Sequence, residues 1–222
     1  MINFIGAFKG LQFVIICLAF ILVVVISFTL HEFAHAYAAY KCGDNTPKAM
    51  GRLTINPIKH IDPLGFICCI LFGIGWAKPV PINPLKFRNY KKGLFITSIA
   101  GITVNYILAF ISYPLFLVFN NLYVSTLNNA LNFLAYFFLF MYSINIMLFV
   151  FNLLPIYPLD GFNMISALTK YDNKFIDFMR KYGSIILLVL VFGFSFILSY
   201  LIDIFGFPIT ALWNSVLKFL IV

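Results

Sequence analysis

Twenty consecutive residues, Leu11 to Leu30, carry no charged side chain, and at ~1.5 Å per residue one helix of that length crosses the ~30 Å hydrocarbon core of a bilayer. Such a segment commits the chain to lipid, because backbone amides in hydrocarbon must be satisfied within helices or a closed barrel. The composition agrees: 63% hydrophobic residues, 10% charged, mean hydropathy +1.00, with 28 Phe and 12 Tyr. The run is too long for an ordinary signal-peptide core and follows a weakly charged leader, so Leu11 to about Tyr40 reads as a retained helix. The expected fold is all-α, a polytopic membrane helical bundle. Residues 1–222 are expected to form one membrane-embedded domain, with a core at about 11–161 and C-terminal spans at about 182–222.

A net charge of +8 raises the question of a nucleic-acid partner, but the distribution of the charges argues for none. Of the 15 Lys and Arg, four fall in Lys41 to Lys59, five in Lys78 to Lys92 and four in Lys170 to Lys181, whereas Asn120 to Ala130 has none. Short basic loops stay in the cytoplasm. The three clusters are therefore expected on the inner side of the cell membrane, with the 120s loop and the N-terminus outside. The four cysteines, Cys17, Cys42, Cys68 and Cys69, form no C-x-x-C pair and read as packing residues.

Helix breakers divide the rest. Gly43 can terminate the first helix. Leu64 to Ala77 is short and interrupted by Gly65, Gly73 and Gly75, so it reads as a re-entrant or loop element, tolerated at membrane depth where protein or a wet cavity satisfies its amides. Trp76 to Pro84, punctuated by Pro79, Pro81 and Pro84, is expected to be extended. Further spans are expected at Gly93 to about Phe119, running outward, Leu131 to about Phe151, returning, and Ile185 to about Leu201, running outward again. Ile209 to Val222, after Pro208, is short enough to be interfacial or a partial span.

The chain's only glutamate, Glu32, stands between two of its three histidines in Leu30-His31-Glu32-Phe33-Ala34-His35. On a helix the i, i+4 spacing puts His31 and His35 on one face, where two imidazoles can reach one zinc ion. A carboxylate beside them can act as general base and acid in hydrolysis. Ionisable residues in an apolar span are costly and mark function. A catalytic zinc needs three protein ligands and one open position. The third ligand is open between His60 and Asp160. Asp160 sits in Asn152-Leu153-Leu154-Pro155-Ile156-Tyr157-Pro158-Leu159-Asp160-Gly161, where Pro155 and Pro158 break the preceding helix and free carbonyls for a polar pocket. His35 and His31 precede Lys41 by six and ten residues, which at ~1.5 Å per residue puts the metal roughly 9 to 15 Å below the cytoplasmic charge border.

These residues resemble the site-2 protease family of intramembrane zinc metalloproteases. His31-Glu32-x-x-His35 resembles its zinc motif, and Asn152-x-x-Pro155-x-x-Pro158-x-Asp160-Gly161 its second signature. The resemblance covers about Leu11 to Gly161, and Gly51 to Pro63 and Gly75 to Pro84 are similar to compact prokaryotic members without PDZ or CBS domains. It implies one zinc per chain held by His31, His35 and Asp160, Glu32 as the catalytic base, and Asn152 and Pro158 in substrate engagement. Relatives often carry Gly-Pro-x-x-Asn in the next span; here Gly101-Ile102-Thr103-Val104-Asn105 lacks the proline and keeps Asn105, a candidate donor to substrate in the cavity.

The reaction so implied is hydrolysis of a peptide bond in or near a transmembrane segment of a protein substrate drawn from the lipid bilayer. Gly73 and Gly75, in Phe72-Gly73-Ile74-Gly75, are candidates for pairing with an unwound substrate strand, with packing as the plain alternative. Two other readings stay open: a membrane zinc hydrolase acting on a non-protein substrate such as a lipid amide, and a non-catalytic membrane binding or regulatory protein. A G-x-S-x-G elbow and a convincing second aspartate for an aspartyl dyad are both missing from the sequence.

Overall fold

The computed structural model describes residues 10–72, 75–169 and 173–221, and every regular element among them is helical. The helices are α1 (Leu11–Cys42), α2 (Thr46–Ala49), α3 (Pro63–Phe72), α4 (Tyr90–Thr126), α5 (Asn129–Leu153), α6 (Asp160–Leu168), α7 (Lys174–Gly193) and α8 (Ser195–Ile221). Four are long and apolar enough to cross a membrane: α1, α4, α5 and, over Ser195–Lys218, α8. The chain is a multi-pass membrane protein.

Local chemistry sets the helix ends. Gly43 adopts φ 112, a left-handed conformation open to glycine, and its N–H and that of Asp44 turn back to the carbonyls of Tyr40 and Ala39. Asn89, Asn128 and Asn173 each cap the helix that follows by accepting a backbone N–H. The core joins Val23, Val24 and Phe28 of α1 to Cys69 of α3 and Met141 and Ile144 of α5; a second cluster joins Ala109 of α4, Ile146 of α5 and Ile209 of α8.

Between α1 and α4 the chain dips and returns. α3 has ten residues, ~15 Å of helix, and its flanks meet again where Ile61 bridges Ala77 and Lys78 N–H donates to the His60 carbonyl at 2.8 Å. Within the expected re-entrant element, Gly73 lies outside the described residues. The strand-like stretch that follows runs without helix to the short 3-10 turn at Pro84–Lys86.

The C-terminal region departs from expectation. The span expected over Ile185 to Leu201 is interrupted: α7 ends at Gly193 and α8 begins at Ser195. Ile209 to Val222 is not a separate short element, because Pro208 sits inside α8; an apolar helix whose neighbours satisfy the freed carbonyl tolerates proline there. Ring contacts fix the direction of α8. Phe205 meets Phe149, while Trp213 meets Phe110 and Asn214 accepts from Tyr113. α8 therefore runs parallel to α4 and antiparallel to α5. At the other end of the connection, Lys91 at the start of α4 bonds the Thr169 carbonyl just past α6. The stretch from α6 to α8 thus leaves and rejoins the bundle at one end, and α7 does not cross it. Gly183 of α7 rests against the Tyr157 backbone at that same end.

Candidate metal centre

His31, Glu32 and His35 lie on α1 and are buried, with 8%, 8% and 6% of their surface exposed. The turn after α5 returns Asp160 to them. The backbone of Gly161 abuts the Leu153 and Leu154 carbonyls so closely that a side chain would collide with them, which holds the start of α6 against the end of α5. His31 Nε2 and His35 Nε2 are 3.0 Å apart, and Asp160 Oδ2 is 3.3 Å from the first and 3.1 Å from the second.

The protons on the two rings follow from their other partners. His35 Nδ1 lies 2.8 Å from the Thr97 carbonyl, which only accepts, so Nδ1 carries the proton and Nε2 presents a lone pair. The His31 proton is set through two amides. Asn145 Nδ2 donates to the Met141 carbonyl and to Ser27 Oγ, both at 2.8 Å, which turns Asn145 Oδ1 toward Asn105. Asn105 Nδ2 donates to that oxygen at 3.1 Å, which leaves Asn105 Oδ1 to accept from His31 Nδ1 at 2.6 Å. Both Nε2 atoms therefore point lone pairs at one another and at a carboxylate oxygen that has no hydrogen-bond donor.

Three acceptors converging within 3.3 Å repel each other unless a cation lies among them. A tetrahedral zinc with bonds of about 2.0–2.1 Å spaces its ligand atoms by about 3.3 Å, so the donor set fits that ion. His31, His35 and Asp160 would hold it, and Asn105 and the Thr97 carbonyl fix ring tautomers from behind. Gly101 makes room: a Cβ there would lie 2.5 Å from His35 Nε2 and 2.6 Å from His31 Cε1.

Glu32 is set by a different element. Its Oε2 accepts the Val80 N–H at 2.9 Å from the extended stretch after α3. A cavity of about 390 Å³ opens on His31, Glu32, His35 and Asp160, walled by Pro79, Val80, Asn152, Pro158 and neighbouring residues. Asn152 also donates to the Leu148 carbonyl at 3.0 Å.

Other site candidates lie elsewhere. Asn105 is fully buried behind His31 rather than on the cavity wall, and one N–H of its amide goes to Asn145. Gly75 packs its backbone against Gly65 and Cys69, away from the cavity. His60 is fully buried and bonded to the Thr54 carbonyl at 2.7 Å, outside the His31, His35, Asp160 group. Asn145 and Thr97 had no motif to flag them; an asparagine at position 145, deep in an apolar span, is the one sequence signal of a polar tie there.

Residues 19–194 match the family model "Peptidase family M50". The chain is 42% identical over 171 residues to the Bacillus subtilis (strain 168) protein named "Putative zinc metalloprotease YwhC", covering 77% of this chain and 78% of that protein. It is 27% identical over 221 residues to "Putative zinc metalloprotease Rip2" of Mycolicibacterium smegmatis, covering 88% and 82%. No solved structure matches. With two buried histidines and a partly buried aspartate grouped in a multi-pass bundle, the chain belongs to peptidase family M50, the site-2 protease family, and is a zinc metalloprotease of that family.

Proposed function

We propose that the protein hydrolyses peptide bonds in or near the membrane-spanning segments of protein substrates, using one zinc per chain on His31, His35 and Asp160. The reading is carried by the convergence of two imidazole lone pairs and one carboxylate oxygen, with Glu32 beside them, in a cavity at the depth of the spans. Zinc held there supplies Lewis acidity to the scissile carbonyl and to the attacking water. Glu32 takes the proton from that water and passes it to the leaving amine nitrogen as the C–N bond breaks. Asn105 and Thr97 keep the two imidazoles in the tautomer that leaves Nε2 free.

Asn152 and Pro158, on the cavity wall, engage the substrate. Asn152 spends one N–H on Leu148 and keeps its oxygen and second N–H for a peptide group freed when a substrate helix unwinds. The residues work as one catalytic domain, with the metal toward the cytoplasmic side and the basic loops inside. Membership of a peptidase family favours a peptide over a lipid amide as the bond cleaved.

The deciding experiment is a reconstituted assay on a single-span substrate with zinc measured in parallel. Glu32→Gln keeps the shape of the side chain and cannot accept a proton, so zinc should stay while cleavage falls by at least ~10²-fold. Undiminished cleavage by that variant would sink the mechanism.

A further inference from the structure

We propose that Arg52 is a positioning residue for catalysis, aiming the Val80 N–H at Glu32 through a single peptide plane. This rests on Glu32 being the base. Arg52 is 6% exposed, and no carboxylate pairs with it among the described residues. A buried cation without a counterion is costly unless its donors are satisfied. One guanidinium nitrogen, Nη2, donates to two consecutive carbonyls, those of Lys78 and Pro79, the second at 3.0 Å, while Nε is left without a partner.

The Pro79 carbonyl and the Val80 N–H are opposite edges of the same peptide group. That group is planar, so gripping its oxygen fixes the direction of its N–H. On the far edge the N–H meets Glu32 Oε2 at 2.9 Å. A cation on the carbonyl also polarises the N–H into a better donor.

The stretch has little else to hold it straight. Pro79, Pro81 and Pro84 have no N–H, so it cannot be zipped into a ladder. It is pinned at its ends, where Lys78 N–H reaches the His60 carbonyl at 2.8 Å and Asn83 N–H reaches Asp44 Oδ2 at 2.7 Å. Between those pins, the Arg52 grip sets the rotation of the peptide that faces the base. Neither Arg52 nor the Val80 N–H bonds His31, His35 or Asp160, so this grip acts on Glu32 and not on the metal ligands.

The test compares Arg52→Ala, Arg52→Lys, Val80→Pro and the Arg52→Ala/Val80→Pro double variant by kcat, KM and zinc content, in the reconstituted assay. Val80→Pro removes the N–H and leaves both Arg52 contacts. Arg52→Ala and Val80→Pro should each lower kcat by roughly 10- to 10²-fold, as expected for a catalytic group displaced by less than an ångström, with KM within about twofold and zinc full. Arg52→Lys, which can reach one carbonyl, should recover part of the loss. The double variant should be no worse than Val80→Pro, because both lesions act through one bond. Undiminished kcat in Val80→Pro, a loss lying in KM, or multiplying losses in the double variant would each overturn the proposal. If Arg52→Ala does not fold, Arg52→Lys and Val80→Pro decide alone. Cleavage by the parent that is lost in Glu32→Gln keeps the base role intact whichever way these variants fall.

Discussion

Gly101→Ala sets two physical effects of opposite sign against each other. Alanine is favoured over glycine inside a helix by ~0.5–1 kcal/mol, so propensity alone predicts a more stable protein. The geometry predicts a damaged metal centre. The new Cβ would lie 2.5 Å from His35 Nε2 and 2.6 Å from His31 Cε1, whereas carbon approaches such atoms at about 3.5 Å, so the rings must retreat by roughly 1 Å. Neither is free to swing, since His31 Nδ1 is tied to Asn105 at 2.6 Å and His35 Nδ1 to the Thr97 carbonyl at 2.8 Å. Metal–ligand bonds tolerate only about ±0.2 Å. The shift is well beyond that, so zinc affinity should fall at least as far as when an outer-shell partner is lost, ~10- to 100-fold, and cleavage with it. Zinc competition against a chromophoric chelator in detergent measures the affinity. Thermal unfolding with excess EDTA tells local displacement from global damage: helix content should persist while zinc is lost. Parent-like zinc affinity in Gly101→Ala would refute the argument that the glycine exists to seat the two rings.

Three further outcomes are expected. Asp160→Ala should lose zinc and His60→Ala should retain it by elemental analysis; the reverse result would transfer the third-ligand role to His60. Cysteines at Lys86 and Phe192 should be labelled from the cytoplasmic side and one at Asn121 from outside, since α7 starts and ends at the Lys86 end of the bundle; outside labelling at Phe192 would make α7 a span. Burial alone would raise the Asp44 carboxyl, but hydrogen bonds from Thr46 and the Asn83 N–H and the charge of Lys86 outweigh it and hold it below its ordinary 3.8. A carboxyl lowered by folding adds stability that is full above its unfolded value and disappears as pH falls through the folded one. Asp44→Asn should therefore lower the Tm near neutral pH and flatten its dependence on pH below about 4, which thermal scans across pH would show.

What could be read from the sequence was local. The i, i+4 histidines and the glutamate between them declare themselves because a single helix brings them together, and Gly43 ends that helix for reasons contained in its own backbone. The partners of those residues could not be read in the same way. Asn105 meets His31 across 74 positions and Asn145 meets Ser27 across 118, distances at which spacing carries no signal. Asn105 was legible as a polar residue in a span, but whether it faces substrate or a histidine depends on how α4 is rotated against α1. At the C-terminus hydropathy is continuous from Ile185 to Leu201 and hides the break at Phe194, whereas Pro208, a breaker in soluble helices, sits inside α8.

The chain of amide bonds behind His31 has a consequence for how the protein is made. Residue 31 emerges from the ribosome long before its support does: Asn105 arrives with the second span, Asn145 with the third, and Asp160 only after that span has turned back. Until then the imidazoles have neither a fixed tautomer nor a third partner. A newly inserted chain thus cannot assemble a working centre while its own spans are still threading into the membrane. With the substrates proposed above, other membrane segments, the order of residues along the polypeptide would act as a timer that keeps the enzyme inert until its bundle is closed.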